Sequence, residues 1–244
     1  MMRPLAEVQA ALMLLTRLPV GRVADPFPAM RDTVWAFPLV GLVTGGAMAG
    51  AMAAGLALGW PAAIAALIAL TLGPILTGAL HEDGLADCAD AMGGQGRDRR
   101  LAILKDSRIG SFGALALILS VGLRVQGYAA LGTLAPLAML ALAVASRAPM
   151  AVLLALLPPA RADGLGAAAA RPTPLRVIVA ATIGAVGAIC IGGPVTLVAI
   201  ALATLAVAWA ARRTLGGQTG DVLGACQQVC EIAGLLALLA INPA

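Results

Sequence analysis

The residues best suited to catalysis lie together in one polar stretch. "HEDGLADCADAMGG", residues 81–94, contains the only histidine of the sequence and four of its twelve acidic residues. If the stretch is helical, Asp83, Asp87 and Asp90 occupy positions i, i+4 and i+7 and share one face of the helix. Like charges on one helix face repel each other, so we expect a bound cation to balance them.

Mg²⁺ or Mn²⁺ is the cation that best suits this cluster, because hard divalent ions prefer oxygen ligands. Glu82 lies beside the three aspartates and completes the expected metal-binding set. His81 adds little, since a single histidine at a helix end serves hydrogen bonding as readily as metal binding. The alternative is a solvated acidic face that is balanced by the arginine-rich stretch 97–100.

A second candidate group follows in the motif "ILKDSRIGSFGA". Lys105 and Arg108 flank Asp106. Cations next to a metal site indicate phosphate binding, because arginine can hold a phosphate through two parallel hydrogen bonds. Ser107 lies between these charges and is a further candidate for substrate binding. The main-chain amides of the helix start at 110–113 could also bind an anion.

A third group of polar residues stands in "GGQTGDVLGACQQVCE", residues 216–231. Asp221 follows a glycine-rich turn and is either the N-cap of the next helix or a ligand of the site. Gln227, Gln228 and Glu231 would project at membrane depth, where polar groups are costly and often functional. We therefore expect this end of the helix to face the same site.

The composition is that of a membrane protein. Hydrophobic residues make up 61% of the sequence and charged residues 11%, whereas soluble domains average roughly 25% charged residues. The net charge is +4, but no basic run with interleaved aromatic residues is present, which argues against nucleic-acid binding. We predict an all-α fold, a polytopic transmembrane helical bundle in the lipid bilayer, with about six to eight spans.

Apolar segments of about 20 residues mark the spans. The segment 4–19 is too short and too charged to cross, and we expect an interfacial or packed helix there. Residues 81–110 form a polar insert, whose aspartate stripe is expected to continue the second span past the cytoplasmic surface. The segment 146–159 is interpreted as a bent continuation of the preceding span or a partly inserted helix. The predicted spans are 34–57, 62–80, 111–127, 129–146, 177–192, 194–210 and 222–241.

Basic residues set the expected orientation. They lie before the first predicted span and in the loops after the second, fourth and sixth, while the intervening turns carry no charge. By the positive-inside rule these loops face the cytoplasm, which puts the candidate site on the cytoplasmic side of the cell (inner) membrane. Arg97, Arg99 and Arg100 fit contact with anionic lipid headgroups. No linker divides the sequence, so we predict one integral-membrane catalytic domain over residues 1–244.

The sequence also resembles a known family. "HEDGLADCADAMGG" followed by "ILKDSRIGSFGA" looks like the signature of cobalamin synthase, the adenosylcobinamide-GDP ribazoletransferase. "LTRLPVG", "FPLVGLVTG", "SRAPM" and "GGQTGDVLGA" are similar to further motifs of that family, so the resemblance extends across the chain. The acidic block and the "KDSRIG" block in tandem are its specific part.

The resemblance implies a reaction and a cofactor. A ribose hydroxyl of α-ribazole, or of α-ribazole 5′-phosphate, attacks the corrinoid-linked phosphorus of adenosylcobinamide-GDP. GMP leaves, and adenosylcobalamin or its 5′-phosphate forms, with Mg²⁺ as the cofactor associated with the family. A homo-oligomer is compatible with the sequence.

The residue roles follow from this interpretation. One or two Mg²⁺ ions are held by Glu82, Asp83, Asp87 and Asp90. The substrate-binding candidates are Lys105, Ser107, Arg108 and Asp221, and the catalytic candidates are Asp83, Asp87 and Asp106. Asp106 or an aspartate of the stripe accepts the proton of the attacking hydroxyl.

Two other functions remain open. The acidic stripe resembles that of CDP-alcohol phosphotransferases, which expel CMP and use a lipid acceptor, but Cys88 stands where those enzymes carry an arginine. A transporter or Mg²⁺ channel would need polar groups at mid-membrane in more than one span. Apart from the ends of the spans, Thr44, Thr71 and Gln126 are the main polar residues there. The gathering of charge at one surface favours an enzyme.

Overall fold

The computed structural model describes residues 3–23 and 25–242, and within these ranges it is all-α, with no strand. One isolated bridge joins Pro159 and Gln218. The predicted all-α fold is confirmed. The helices are α1 (Pro4–Leu15), α2 (Met30–Thr33), α3 (Phe37–Ala57), α4 (Ala62–Thr77), α5 (Leu80–Met92), α6 (Arg97–Ile103), α7 (Ser111–Ala130), α8 (Ala135–Ala145), α9 (Ala148–Leu156), α10 (Leu165–Ala168), α11 (Pro174–Thr214) and α12 (Gly220–Ile241).

The apolar helices make the chain a multi-pass membrane protein. In the described part of the chain, five helical stretches are long and apolar enough to cross a membrane, and the bent pair α4–α5 would be a sixth. Large side chains such as Ile118 and Leu202 remain exposed on these helices, which suits contact with lipid. The five stretches are Met30–Ala57, Ser111–Ala130, Gly132–Leu156, Pro174–Thr214 and Gly220–Ile241.

Helix α11 is a hairpin of two helices. A straight helix of its 41 residues would be about 60 Å long, twice the roughly 30 Å of a bilayer core. Helical geometry fails at Gly192 and Gly193. Residues of 181–188 and of 197–205 line one groove, so the two halves lie side by side. The predicted pair of spans joined by a "GGP" turn is confirmed.

Helices α8 and α9 belong to one apolar stretch, Gly132–Leu156. The chain leaves α8 at Ser146, and Arg147 precedes the first residue of α9. Pro149 lies in the first turn of α9, where its missing N–H leaves no hydrogen bond unmade. The continuation of the fourth span is therefore confirmed, with a break between the two helices at Ser146 and Arg147.

The short helix α1 packs on the bundle, as predicted, and its acidic residue is internal. Glu7 is 3% exposed. One carboxylate oxygen accepts a hydrogen bond from the indole Nε1 of Trp35 at 2.6 Å. The other lies 3.2 Å from the guanidinium of Arg176 at the start of α11. Glu7 therefore connects α1 to α11 and to the segment that contains Trp35.

The polar helix α5 follows α4 but does not extend it in line, so the expectation that the stripe runs on past the membrane surface along the second span is wrong. Its axis turns by 91° from that of α4. Pro74 lies in the last turn of α4, where it weakens the helix. Gly78 and Ala79 then take left-handed φ angles of 68° and 60°, which end one helix and reorient the next. As a result α5 packs against α7 and α12.

Candidate active site

The aspartate stripe lies on one helix, as the spacing predicts. Asp83 is exposed, while Asp87 and Asp90 are half-buried. Asp83 and Asp90 both act electrostatically on Asp87 from the same helix. Asp221 acts on Asp87 from α12, and the guanidinium of Arg161 is also within reach. The fold thus adds a fourth carboxylate to the stripe.

A glycine lets α5 approach the start of α12. A Cβ at Gly84 would sit 2.6 Å from the main-chain oxygen of Asp221, which is closer than real contacts allow. One turn further along α12, a Cβ at Gly224 would lie 3.1 Å from the main-chain oxygen of Leu80. These two close contacts explain how residues far apart in the sequence share one site.

Asp221 is not the N-cap of α12, so that interpretation is wrong. The cap is Thr219, whose hydroxyl oxygen accepts a hydrogen bond from the Val222 amide at 3.3 Å. Asp221 accepts a hydrogen bond from the same hydroxyl at 3.1 Å. Its Oδ2 also lies 3.2 Å from Nη2 of Arg161. Thr219 therefore caps the helix, and Asp221 faces the stripe on α5.

Asp90 holds the start of α7. One carboxylate oxygen accepts a hydrogen bond from the Gly110 amide at 2.7 Å, and the other accepts one from the Gly113 amide at 2.8 Å. A Cβ at either glycine would collide with this carboxylate. The expected anion at this helix start is thus a side chain of the protein itself.

Glu82 points away from the other carboxylates of α5. Its Oε1 accepts a hydrogen bond from Nε2 of Gln228 at 3.1 Å, and it lies 3.8 Å from Nη2 of Arg124. The same guanidinium lies 3.8 Å from Glu231. Arg124 therefore stands between two carboxylates inside the helical bundle, where it balances part of their charge.

The polar residues of α12 form a buried network beside Glu82. Gln227 donates hydrogen bonds to Glu231 and to the hydroxyl of Ser146, both at 2.9 Å. Tyr128 donates its hydroxyl hydrogen to Glu231 at 3.1 Å. Buried polar groups are stable when they are hydrogen-bonded, so this network explains how α12 carries them at membrane depth.

The four carboxylates expected to bind metal do not converge. Glu82 faces Arg124 and Gln228, and Asp90 faces two amides of α7. Across residues 3–23 and 25–242, no three acidic, histidine or cysteine side chains are close enough to surround one ion. The carboxylates that approach one another across α5 and α12 are Asp83, Asp87 and Asp221, and we call them the carboxylate site.

The expected phosphate-binding cations are paired with exposed carboxylates. Nζ of Lys105 lies 3.3 Å from Asp163, and the guanidinium of Arg108 lies 2.7 Å from Asp106. The hydrogen bonds from Arg108 lower the pKa of Asp106 to about 2. Lys105 likewise lowers the pKa of Asp163. Ser107 is exposed beside them.

Two arginines of the site were missed in the sequence. Arg161 lies in the loop after α9, and the sequence marks it only as one of several loop charges. Arg124 interrupts an apolar span, and a charge within a span is a recognisable signal of a paired or functional residue. Both are largely buried, with side chains 17% and 7% exposed.

The fold and the site define a class of protein: a polytopic helical membrane protein with a group of carboxylates and cations at one end of its bundle. Within that class, the chain belongs to the cobalamin-5-phosphate synthase family, whose model matches residues 7–239. The family resemblance of the sequence motifs is thereby confirmed. This match favours the ribazoletransferase over the CDP-alcohol phosphotransferase and the transporter.

Curated relatives are similar over nearly the whole chain. A protein of Azorhizobium caulinodans is 47% identical over 97% of this chain and 96% of its own length. One of Bradyrhizobium diazoefficiens is 43% identical over 98% and 95%, and one of Allorhizobium ampelinum is 41% identical over 95% of both. All three are named adenosylcobinamide-GDP ribazoletransferase. No solved structure matches the chain significantly.

Proposed function

We propose that this chain catalyses the final assembly step of cobalamin biosynthesis. It transfers the adenosylcobinamide-phosphoryl group from adenosylcobinamide-GDP to α-ribazole or α-ribazole 5′-phosphate, and GMP leaves. The observation that carries the proposal is the 47% identity to the Azorhizobium ribazoletransferase over 97% of the chain. The carboxylates and cations at one end of the bundle support a phosphoryl-type transfer.

Mg²⁺ fits the donors of the carboxylate site. Asp83, Asp87 and Asp221 offer carboxylate oxygens, and Arg161 alone does not balance three negative charges. Hard divalent cations prefer such ligands. Because no three acidic side chains of the described residues surround one point, one or two of these aspartates would hold the ion, and substrate phosphate oxygens would complete its shell. Glu82 and the remaining aspartate of the stripe position helices. Bound there, Mg²⁺ would neutralise charge that develops on the phosphoryl oxygens.

Lys105, Arg108 and Arg161 are the proposed phosphate-binding cations. Each already pairs with a carboxylate at 3.3 Å or less. Lys105 and Arg108 are exposed, with side-chain exposures of 57% and 87%, so both can exchange a carboxylate for a substrate phosphate. Charge-assisted hydrogen bonds of this kind are the stronger ones in proteins.

The proton acceptor belongs to the stripe rather than to the basic segment. A general base works best when its pKa lies near the working pH, whereas the pKa of Asp106 is lowered to about 2 by Arg108. Asp106 therefore orients Arg108. Asp83 or Asp87 would receive the proton of the attacking ribose hydroxyl, since they lie within the carboxylate site.

The proposed location is the cytoplasmic face of the cell (inner) membrane. Basic residues of the loops gather at the end of the bundle that carries the site: Arg97 donates hydrogen bonds to the main-chain oxygens of Leu215 and Ala160. The positive-inside rule assigns such loops to the cytoplasm, where the nucleotide-linked substrate would be available.

The test is release of GMP by the purified full-length protein in liposomes. The assay contains adenosylcobinamide-GDP, α-ribazole and Mg²⁺, and a parallel sample receives a CDP-alcohol donor with a lipid acceptor. We expect GMP and a cobalamin product in the first sample and no CMP in the second. A folded, inserted protein that releases no GMP would overturn the proposal.

A further inference from the structure

A groove of about 250 Å³, partly open to the outside, lies between α5, α11 and α12. Its walls are apolar and include Leu85, Val207, Ala211, Val222 and Val229. Helices α11 and α12 are long and apolar enough to cross a membrane. The groove therefore borders the lipid bilayer.

The groove lies at the depth where α11 leaves the membrane. Its wall on this helix extends from Val207 to Leu215, and Arg212 and Arg213 are exposed in the same last turns. Trp209 is 66% exposed, and the guanidinium carbon of Arg213 lies 5.8 Å from the centre of its ring. Tryptophan and the basic side chains of helix ends gather at the membrane–water boundary. Acyl chains and headgroup phosphates are thus both present at this level.

The charged residue of the lining is Arg100 of α6. Its side chain crosses Gly94, where a Cβ would lie 3.0 Å from Cγ of the arginine. Among the described residues, its guanidinium has no hydrogen bond and no ion pair. The guanidinium of Arg97, on the same helix, instead donates to two main-chain oxygens. An unpaired cation beside an apolar wall is best complemented by an anion from outside the protein.

The charges around Arg100 favour a ligand with net negative charge. Arg99 is exposed next to it, and two further arginines end the wall that α11 forms. The nearby carboxylate of Asp98 lies 3.8 Å from Arg97. Clusters of basic residues at the end of a span attract anionic lipids, so the headgroup that fits here is anionic.

The size of the groove favours an acyl chain over a partner helix. One helical turn, with a diameter of about 10 Å and a pitch of about 5.4 Å, fills roughly 400 Å³, more than the groove offers. An extended peptide would leave main-chain N–H and C=O groups unpaired against apolar walls. An acyl chain has no such groups and buries only apolar surface.

The groove and the carboxylate site use opposite faces of α5. Cys88 and Met92 line the groove. With 3.6 residues per turn, they point away from Asp83 and Asp87 on the same helix. A molecule in the groove is therefore placed to support α5 from behind rather than to react.

We propose that the groove binds one acyl chain of an anionic membrane phospholipid, with the headgroup phosphate against the guanidinium of Arg100. The chain fills the space between α5, α11 and α12, and the phosphate supplies the partner that the arginine lacks. The bound lipid thereby braces α5 against both helices from the side opposite the carboxylates.

The test measures the lipid that the purified full-length protein retains in detergent with equal amounts of phosphatidylglycerol and phosphatidylcholine. Native mass spectrometry counts the bound lipids, and no substrate is present, so the result is independent of GMP release. We expect the wild-type protein to retain one phosphatidylglycerol in preference to phosphatidylcholine. Arg100→Gln should lower this preference roughly fivefold, the effect of one basic residue near a charged lipid. Arg99→Gln removes an exposed charge next to it and should lower the preference less.

A second pair of variants tests the groove itself. Ala210 is exposed and lines the groove, so Ala210→Leu should reduce retention of both lipids. Ala240→Leu, which enlarges an exposed side chain near the end of α12, should not. Melting temperatures identify any variant that fails to fold, and Arg100→Gln should keep the wild-type value because its guanidinium is unpaired.

Three results would overturn the proposal. The first is a wild-type protein without preference for phosphatidylglycerol, and the second is equal loss of preference in Arg99→Gln and Arg100→Gln. The third is a lipid-free dimer that Ala210→Leu dissociates, since a second copy of the chain would then cover the groove.

Discussion

Gly84 of α5 lies directly against the main-chain oxygen of Asp221 at the start of α12, so closely that a Cβ would sit 2.6 Å from that oxygen. The two residues are 137 positions apart in the sequence. This contact is the reason that an aspartate of α12 can join the stripe of α5. The position of the helix axes, and not only the choice of side chains, therefore determines the site.

We expect Gly84→Ala to separate these two helices. The added methyl meets main-chain atoms of α12, and overpacking of this kind costs about 1–3 kcal/mol. A shift of about 1 Å at a catalytic site can lower the rate roughly 100-fold. We therefore expect a large loss of GMP release in a variant that still folds. Gly122→Ala is the control, because a Cβ there meets nothing within 4 Å. Equal, small effects of both substitutions would contradict the role of the contact.

The carboxylate site yields a second prediction. Asp83→Ala should lower GMP release at saturating Mg²⁺ by at least about 100-fold, since losing metal-assisted charge stabilisation costs several kcal/mol. The variant should remain inserted and folded, because Asp83 is exposed. Asp98→Ala removes an exposed carboxylate of the same insert and should leave the rate unchanged. Near-normal turnover of Asp83→Ala would rule out the metal site.

The sequence predicts the local features of the site well. The spacing of Asp83, Asp87 and Asp90 specifies a helix with one acidic face, and the apolar runs specify the spans and the "GGP" hairpin. The acidic face and the spans depend on residues that are close in the sequence, so the periodicity of the sequence predicts them.

The sequence does not predict how these features meet. Gly78 and Ala79 take left-handed φ angles where α5 turns by 91° from α4, and the alanine gives no signal of such a conformation. Asp90 has the same spacing as its neighbours but lies against the first turn of α7. Likewise, Arg161 joins the site only because its loop folds onto Asp221. Each of these roles depends on long-range packing that no single motif encodes.

The role of Asp90 in holding α7 makes a third prediction. Asp90→Ala removes two hydrogen bonds to main-chain amides, and the loss of such helix-start contacts costs roughly 0.5–2 kcal/mol. The melting temperature in detergent should fall, and excess Mg²⁺ should not restore activity. Asp90→Asn keeps one acceptor oxygen, so its melting temperature should lie between those of the wild-type protein and Asp90→Ala. If Asp90→Ala kept the wild-type melting temperature but required more Mg²⁺, the residue would be a metal ligand after all.

The buried charges around Arg124 give a fourth prediction. Arg124→Gln removes the guanidinium that lies 3.8 Å from both Glu82 and Glu231 and leaves only the more distant Arg147 to act on them. Glu82→Gln leaves Arg124 paired with Glu231. Breaking a buried ion pair from one side costs about 3–5 kcal/mol, so we expect Arg124→Gln to destabilise the protein more than Glu82→Gln. The double variant should be more stable than the sum of the two losses predicts. Additive losses in thermal unfolding would show that the charges do not interact.

The last prediction concerns Asp106 and the pH dependence of the rate. Arg108 lowers the pKa of this carboxyl from its ordinary value near 3.8 to about 2, so Asp106 stays ionised throughout the range from pH 5 to pH 9 and cannot produce a titration step there. We expect kcat to fall toward acid pH as the proton-accepting aspartate of the stripe becomes protonated, and Asp106→Asn should leave this acid limb in place. The variant should change mainly KM for adenosylcobinamide-GDP, because Arg108 loses the carboxylate that orients it. Asp87→Asn, by contrast, should lower kcat strongly. If Asp106→Asn instead abolished kcat and removed the acid limb, Asp106 would be the proton acceptor and the stripe would only bind metal.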